Sequence, residues 1–270
     1  ERRQSQAAAA TLHRRTGGNP FFVEAAIGAG ATGEAAPVPW TVAETVSELL
    51  DDLGGGARSI AELLAVHGGP LPLDVLSSVV ADAERVVDLL ERSGIVLVVG
   101  AGLGGAVAEA RLRHALIADA VAASLDPVAR VARHAQLAEV LAPGGADRAA
   151  DLARHLSASG DPERAAPWAV IAADRLSVRG SHQRAVEMYE LALTHPPGEP
   201  RLRSTLLERA SVSAALAGRV ELAGAWGRAA YAARTDDDRP REAGRGWANT
   251  FVLRALDDTR GEVRDPAPDP

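Results

Sequence analysis

Small side chains recur at fixed offsets behind turn glycines in the second half of the chain, and no other feature restricts its fold as strongly. Alanines stand five and twelve residues after each of Gly160, Gly180 and Gly218. Alanine at repeated positions lets neighbouring helices pack closely, because it has almost no side chain to separate their backbones. The pattern therefore predicts a wholly helical, loosely repetitive array from Gly144 onward.

The middle copy of this pattern has a more specific spacing. Ala185, Tyr189, Ala192 and Pro197 are separated by four, three and five residues, which matches the second helix of a tetratricopeptide repeat. We therefore predict TPR-like helical repeats over residues 144–258. Residues 259–270 are rich in Asp and Pro and are predicted to be a disordered tail.

The region before the repeats changes from helical to strand-like periodicity. Helical spacing predicts helices over residues 41–53, 57–67, 73–80 and 84–92, with Thr41 as N-cap and Glu44 completing a capping box. Residues 95–99 are β-branched except for Leu97, which predicts a strand, and the alternation from Val107 to Arg113 predicts a partner strand. Helices followed by a two-stranded hairpin indicate a winged helix, which we place at residues 37–143 in a mainly α fold.

The composition excludes several kinds of chemistry. None of the 29 basic residues is Lys, so no phosphate-loop or Schiff-base lysine exists in this chain, and no Cys is present for a disulfide or a thiol nucleophile. The histidines are scattered at spacings that predict no metal site. A net charge of -7 argues against a free-standing nucleic-acid binder.

The location and extent of the protein are also indicated. With no Cys, nothing points to an oxidising compartment, so we expect a cytoplasmic protein. No apolar run approaches the length of a membrane-spanning helix, so we expect no membrane partner. Because the chain begins at Glu1 and its only Met is Met188, we expect it to be a piece of a longer protein.

A glycine motif suggests one enzymatic alternative. Gly100, Gly102 and Gly105 form G-x-G-x-x-G after a predicted strand, which is the pattern of a dinucleotide-binding loop. That site also needs a following helix and a second parallel strand, whereas the next stretch predicts two helices and no such strand. A flexible hairpin turn is therefore the favoured interpretation, and a dinucleotide-dependent enzyme is the alternative.

Two short segments are candidates for binding an anionic ligand. Gly18, Asn19 and Pro20 form a turn that either only starts a helix or brings the backbone close to a nucleotide, with Pro20 against the base or sugar. Arg113 and His114 lie at a predicted junction from strand to helix, where helix N-terminal amides favour an anion. His114 is either a structural hydrogen-bonding group or a donor to a phosphate.

Together, three stretches resemble the large ATP-binding LuxR-family regulators and related STAND proteins. Residues 12–24 (LHRRTGGNPFFVE) resemble the end of their ATPase module. Residues 112–121 (LRHALIADAV) and 135–141 (AQLAEVL) resemble the end of their winged helix. Residues 152–193, which open with LARHL, resemble the beginning of their helical repeats. The resemblance places residues 1–36 at the C-terminal edge of the ATPase module.

The resemblance implies a nucleotide-controlled switch. In that family the Gly-x-Pro turn and a winged-helix His face bound ADP or ATP, which makes Gly18, Asn19, Pro20, Arg113 and His114 the expected nucleotide-binding residues. The repeats would bind a protein or small-molecule inducer, and a separate C-terminal domain would bind DNA. The Walker residues of the family are missing from this chain, so it is not expected to be an enzyme itself or to hold nucleotide alone.

Two further alternatives belong to other functional classes. One is a winged helix that binds DNA directly, although its third helix carries Arg85 and Arg92 beside three acids, Glu84, Asp88 and Glu91. The other is a free-standing helical-repeat scaffold for protein interaction.

Overall fold

A computed structural model describes residues 2–31, 33, 36–100 and 107–234, and it is mainly helical with a small antiparallel sheet. The predicted mainly α fold is confirmed. The chain divides into two compact units, Glu1–Leu141 and Ala142–Pro270. The finer domain boundaries stay predictions, and the predicted tail at residues 259–270 lies outside the described residues, as do residues 235–258 of the predicted repeats.

The first unit consists of short helices around one central helix. Its helices and strands are α1 (Arg2–Thr16), α2 (Pro20–Gly28), α3 (Trp40–Leu53), α4 (Gly55–His67), β1 (Leu71–Pro72), α5 (Leu73–Ser77), α6 (Ala83–Arg92), β2 (Val96–Val99), β3 (Glu109–Leu112), α7 (Ala115–Ser124) and α8 (Pro127–Leu141). The α4 helix packs against α3, α6, α7 and α8. Its apolar residues Ile60, Ala61 and Leu63 are fully buried, because neighbours cover it on several sides.

The small sheet has one strand more than the sequence predicted. β3 lies in the middle and pairs antiparallel with β2, Val96 opposite Leu112, and with β1, Leu71 opposite Ala110. β1 is two residues long and contains a proline, so it is too short to show a strand periodicity in the sequence. The glycine-rich turn of the hairpin falls largely on residues 101–106, outside the described residues.

The predicted capping box at Thr41 and Glu44 is wrong. The α3 helix begins at Trp40, with Pro39 as its N-cap and no side-chain cap hydrogen bond. The carbonyl of Pro39 accepts the backbone N–H groups of Val42 and Ala43 at 3.0 and 3.2 Å. Because the proline ring already fixes a backbone angle that leads into a helix, the helix begins before Thr41 can act as its cap.

The second unit follows the predicted pattern of glycines and alanines. A 3₁₀ segment (Ala142–Arg148) precedes α9 (Ala149–Ala158), α10 (Pro162–Val178), α11 (His182–Thr194), α12 (Pro200–Leu216) and α13 (Val220–Ala233). Gly160, Gly180 and Gly218 have positive φ angles of 85°, 74° and 74° where helices end. All the alanines of the pattern are 0–4% exposed: Ala165, Ala172, Ala185, Ala192, Ala223 and Ala230.

A buried tyrosine joins three helices of this unit through one carboxylate. The Tyr189 hydroxyl on α11 donates to Asp174 on α10 at 2.7 Å, and Arg209 on α12 donates to the other oxygen of Asp174 at 2.6 Å. Burial, together with the hydrogen bond to Asp174, raises the pKa of Tyr189 to about 12. The tyrosine therefore stays protonated at neutral pH and donates this bond.

Among the described helices, none is long and apolar enough to cross a membrane.

The central position of α4 predicts a large effect of truncating its core. We expect Ile60→Ala to lower the free energy of unfolding by about 2–5 kcal/mol, because it removes buried methyl groups and leaves a cavity. Val128→Ala on α8, where the side chain is 79% exposed, is the control and should change it by less than about 0.5 kcal/mol. Urea unfolding followed by circular dichroism measures both, and equal effects would contradict the placement of α4 at the core.

Candidate functional site

A tight turn between α1 and α2 places backbone close to the rest of the first unit. Thr16 Oγ1 donates to the carbonyl of Leu12 at 2.8 Å and accepts the N–H of Gly18 at 3.2 Å. Gly17 and Gly18 have φ angles of 60° and 76°, in the left-handed region that glycine adopts without a steric penalty. Two consecutive residues of this kind reverse the chain, and Pro20 then begins α2.

The imidazole of His114 packs directly on this turn. A Cβ atom added to Gly17 would collide with Nδ1 and Cε1 of the His114 ring, so only glycine permits the observed approach. The ring of Phe22 on α2 meets the imidazole edge to face, with centroids 5.8 Å apart and planes at 78°. His114 itself is the N-cap residue of α7 and has an extended backbone, φ -130° and ψ 143°.

Two clefts lie beside His114, and their linings differ. The larger one, of about 530 Å³, includes Asn19 and Phe22 from the turn side and has apolar residues such as Ile117 in its wall. The smaller one, of about 360 Å³, includes Arg14 and Arg111, and no Asp or Glu is among its described lining residues. Arg113 and His114 line both clefts. The smaller cleft therefore has the charge that suits an anion.

Arg113 is held by the sheet but keeps unused donor capacity. Its backbone N–H donates to the carbonyl of Ile95 at 2.9 Å, and a terminal guanidinium nitrogen donates to the carbonyl of Val96 at 3.4 Å. Its Nε atom is buried and has no hydrogen-bond partner among the described residues. The guanidinium of Arg113 therefore has donor capacity beyond the one bond that it makes to the sheet.

The titration of His114 reflects these surroundings. Burial lowers the pKa of its imidazole, and the positive charges of Arg113 and Arg111 lower it further. The ring is therefore neutral at physiological pH, and it can donate one hydrogen bond and accept another. A group of three or more His, Asp or Glu side chains that could hold a metal ion is absent from the described residues.

The predicted site residues are brought close together, although not all line a cleft. Asn19, Arg113 and His114 share the wall of the larger cleft. Gly18 instead faces the ring of His13, whose Cε1 would lie 3.1 Å from an added Cβ. Pro20 is exposed at the first position of α2. The assignment of these five residues to nucleotide binding stays a prediction.

Sequence reasoning missed two residues that shape this region. Gly17, rather than Gly18, is the glycine that His114 touches, and Arg111 joins Arg113 beside the smaller cleft. Arg111 and Arg113 are two residues apart around the end of β3, and side chains at that spacing share one face of a strand. This signal was available in the sequence, whereas the contact of Gly17 was not.

Comparison with protein-family models, curated proteins and solved structures found no match to this chain.

The close approach of Gly17 to His114 predicts the effect of adding one methyl group. We expect Gly17→Ala to lower the free energy of unfolding by about 1–3 kcal/mol, because alanine is strained at positive φ and its Cβ displaces the imidazole. Urea unfolding and the NMR resonances of the His114 ring measure the two effects. Gly28→Ala, where an added Cβ meets nothing within 4 Å, is the control. Unmoved His114 resonances in Gly17→Ala would contradict the contact.

The lowered pKa of His114 predicts an acid-dependent loss of stability. Below its ordinary value of 6.5 the unfolded chain takes up a proton that the folded chain resists, so the free energy of unfolding falls as the pH drops. We expect His114→Gln to lose less stability than the wild type between about pH 8 and about pH 5. Urea midpoints measure this difference, with the exposed His195→Gln as control. Identical pH profiles for wild type and His114→Gln would contradict it.

Proposed function

We propose that this chain is the regulatory segment of an ATP-dependent, signal-transducing transcriptional regulator of the LuxR-type STAND class. In this proposal His114 faces the phosphates of a nucleotide held by a separate phosphate-loop module, and the turn at residues 18–20 faces its base or sugar. The helical second unit binds a protein or small-molecule inducer and thereby biases the switch between nucleotide states. The chain acts by interaction and does not hydrolyse ATP by itself.

The observation that carries the proposal is the contact of His114 with the Gly17 turn. The two segments are almost a hundred residues apart in the sequence, and the resemblance to the LuxR-type regulators implies a nucleotide-facing role for His114 and for Gly18, Asn19 and Pro20 beside Gly17. Their contact supports a common role, because a ligand at either one would also lie near the other.

The residues around His114 fit the phosphate portion of ATP or ADP. Arg14, Arg111 and Arg113 line one cleft with His114 and bring no acid into it. When bound, a nucleotide would supply a dense negative charge that these donors hold in place. Arg111, Arg113 and His114 would hold its phosphates, and the backbone at Gly17 would keep the imidazole oriented.

The structure of α6 disfavours the alternative of direct DNA binding by the first unit. Arg92 is paired with Asp88 at 2.8 Å on the helix surface, and Glu91 accepts the backbone N–H of Val98 at 3.1 Å. An arginine that is already paired, beside exposed acids, contributes little to neutralising a phosphate backbone. In the proposal DNA is therefore bound by another domain.

Substitution of His114 tests the proposed nucleotide role. In the full-length gene product we expect His114→Ala to weaken ADP retention by up to about tenfold, since one neutral hydrogen bond contributes about 0.5–1.5 kcal/mol. The basal transcriptional activity of the regulator should rise, because ADP no longer stabilises the inactive conformation as strongly. Dissociation of fluorescent ADP after dilution, followed with time, measures the retention.

A matched control separates this effect from general damage. His195→Ala removes an exposed imidazole from the second unit and should leave ADP dissociation as in the wild type. If His114→Ala also keeps the wild-type dissociation rate while remaining folded, His114 does not contact the nucleotide and the proposal fails.

A further inference from the structure

Arg15 is a buried arginine whose side chain is bonded to two distant parts of the first unit. It is the residue before the last in α1, and it is only 6% exposed. Its guanidinium donates to the backbone carbonyls of Ala31 at 3.2 Å, Gly33 at 2.9 Å and Ala36 at 2.8 Å. It also donates to the carboxylate of Asp119 on α7 at 3.4 Å.

The three carbonyls belong to the connection between α2 and α3, which makes no helix or strand at these residues. Carbonyls of such a segment need hydrogen-bond donors when they are buried, and Ala31 is 2% exposed. A planar guanidinium donates in several fixed directions at once, whereas the ammonium of lysine is a compact charge on a flexible chain. The arrangement therefore requires arginine in particular and not only a positive charge.

Arg15 and its neighbours tie α1 to α7 at two points. Gly17, two residues after Arg15, touches His114 at the N-terminus of α7, while Arg15 itself binds Asp119 farther along that helix. With one contact the turn could still rotate relative to α7, whereas two contacts also fix the orientation of the turn relative to that helix. Through the carbonyls of Gly33 and Ala36, Arg15 also binds the α2–α3 connection to the C-terminal end of α1.

We infer that Arg15 is a positioning residue that keeps the Gly17 turn against His114 and makes this contact depend on the conformation of the α2–α3 connection. If the α2–α3 connection moves away from Arg15, the guanidinium loses three of its hydrogen-bond acceptors. Its buried positive charge is then poorly compensated, which weakens the packing of α1 against α7. The His114 imidazole then no longer packs against Gly17. The consequence for nucleotide retention rests on the function proposed above, whereas the positioning itself does not.

The test is an NMR titration of the His114 imidazole in the complete 270-residue chain without nucleotide. Arg15→Lys keeps the positive charge but removes the planar set of donors. We expect the pKa of His114 to rise toward its ordinary value in this variant, because the ring becomes more exposed to solvent. A merely electrostatic role of Arg15 would leave the pKa of His114 unchanged, since the charge is retained.

A second variant keeps the inference testable if Arg15→Lys does not fold. Asp119 is half exposed, so Asp119→Ala should be tolerated. Alanine is chosen because the amide oxygen of asparagine could still accept a hydrogen bond from Arg15. Loss of the carboxylate charge alone would lower the pKa of His114, whereas loss of the tether raises it, so the sign of the shift distinguishes the two. We expect a rise that is smaller than that of Arg15→Lys, because the three carbonyl contacts remain.

Arg58→Lys is the matched control, because Arg58 also joins two helices of the first unit. It donates from α4 to the carbonyl of Ser47 at 3.0 Å and to Asp51 at 2.7 Å, both on α3. The pKa of His114 should not move in this variant. An unchanged pKa in folded Arg15→Lys, a fall in Asp119→Ala, or an equal rise in Arg58→Lys would overturn the inference. Because no nucleotide is present, these results are independent of ADP retention.

Discussion

The packing of the His114 imidazole on the backbone of Gly17 is the interaction on which the rest of the proposed site depends. It is possible because Gly17 lacks a Cβ atom and adopts a positive φ, and because His114 caps α7 in an extended conformation. The contact brings the turn after α1, the end of β3 and the beginning of α7 together. Without it the arginines of β3 and α1 would not share a cleft with an imidazole.

The surroundings of this contact combine neutral and cationic donors. Burial and the charges of Arg113 and Arg111 lower the pKa of His114, so the ring is neutral beside fixed positive charges. Such a set is costly for the isolated protein, since like charges repel and buried Nε of Arg113 has no partner. An anionic ligand in the cleft would relieve the repulsion between the arginines. This is the physical reason to connect the site with phosphate, independently of the resemblance to a family.

Sequence reasoning predicted the periodic features well and the long-range contacts poorly, and it misplaced one local feature, the N-cap of α3. The glycines and alanines of the second unit could be predicted because helix ends favour glycine and close helix packing favours alanine at regular intervals in the sequence. Gly180, Ala185 and Ala192 are examples. The role of Arg15 could not be predicted, since nothing local separates it from Arg14, and its burial depends on carbonyls of a later segment. The Gly17 contact is hidden for the same reason.

The central claim is that the Gly17 turn and His114 face one phosphate-bearing ligand. A crystal structure of the full-length gene product with ADP tests it most directly. We expect a phosphate oxygen within hydrogen-bond distance of a ring nitrogen of His114, with Gly17 still in contact with the imidazole. ADP bound with its phosphates away from both residues would contradict the account, and the site would then be a structural junction between helices.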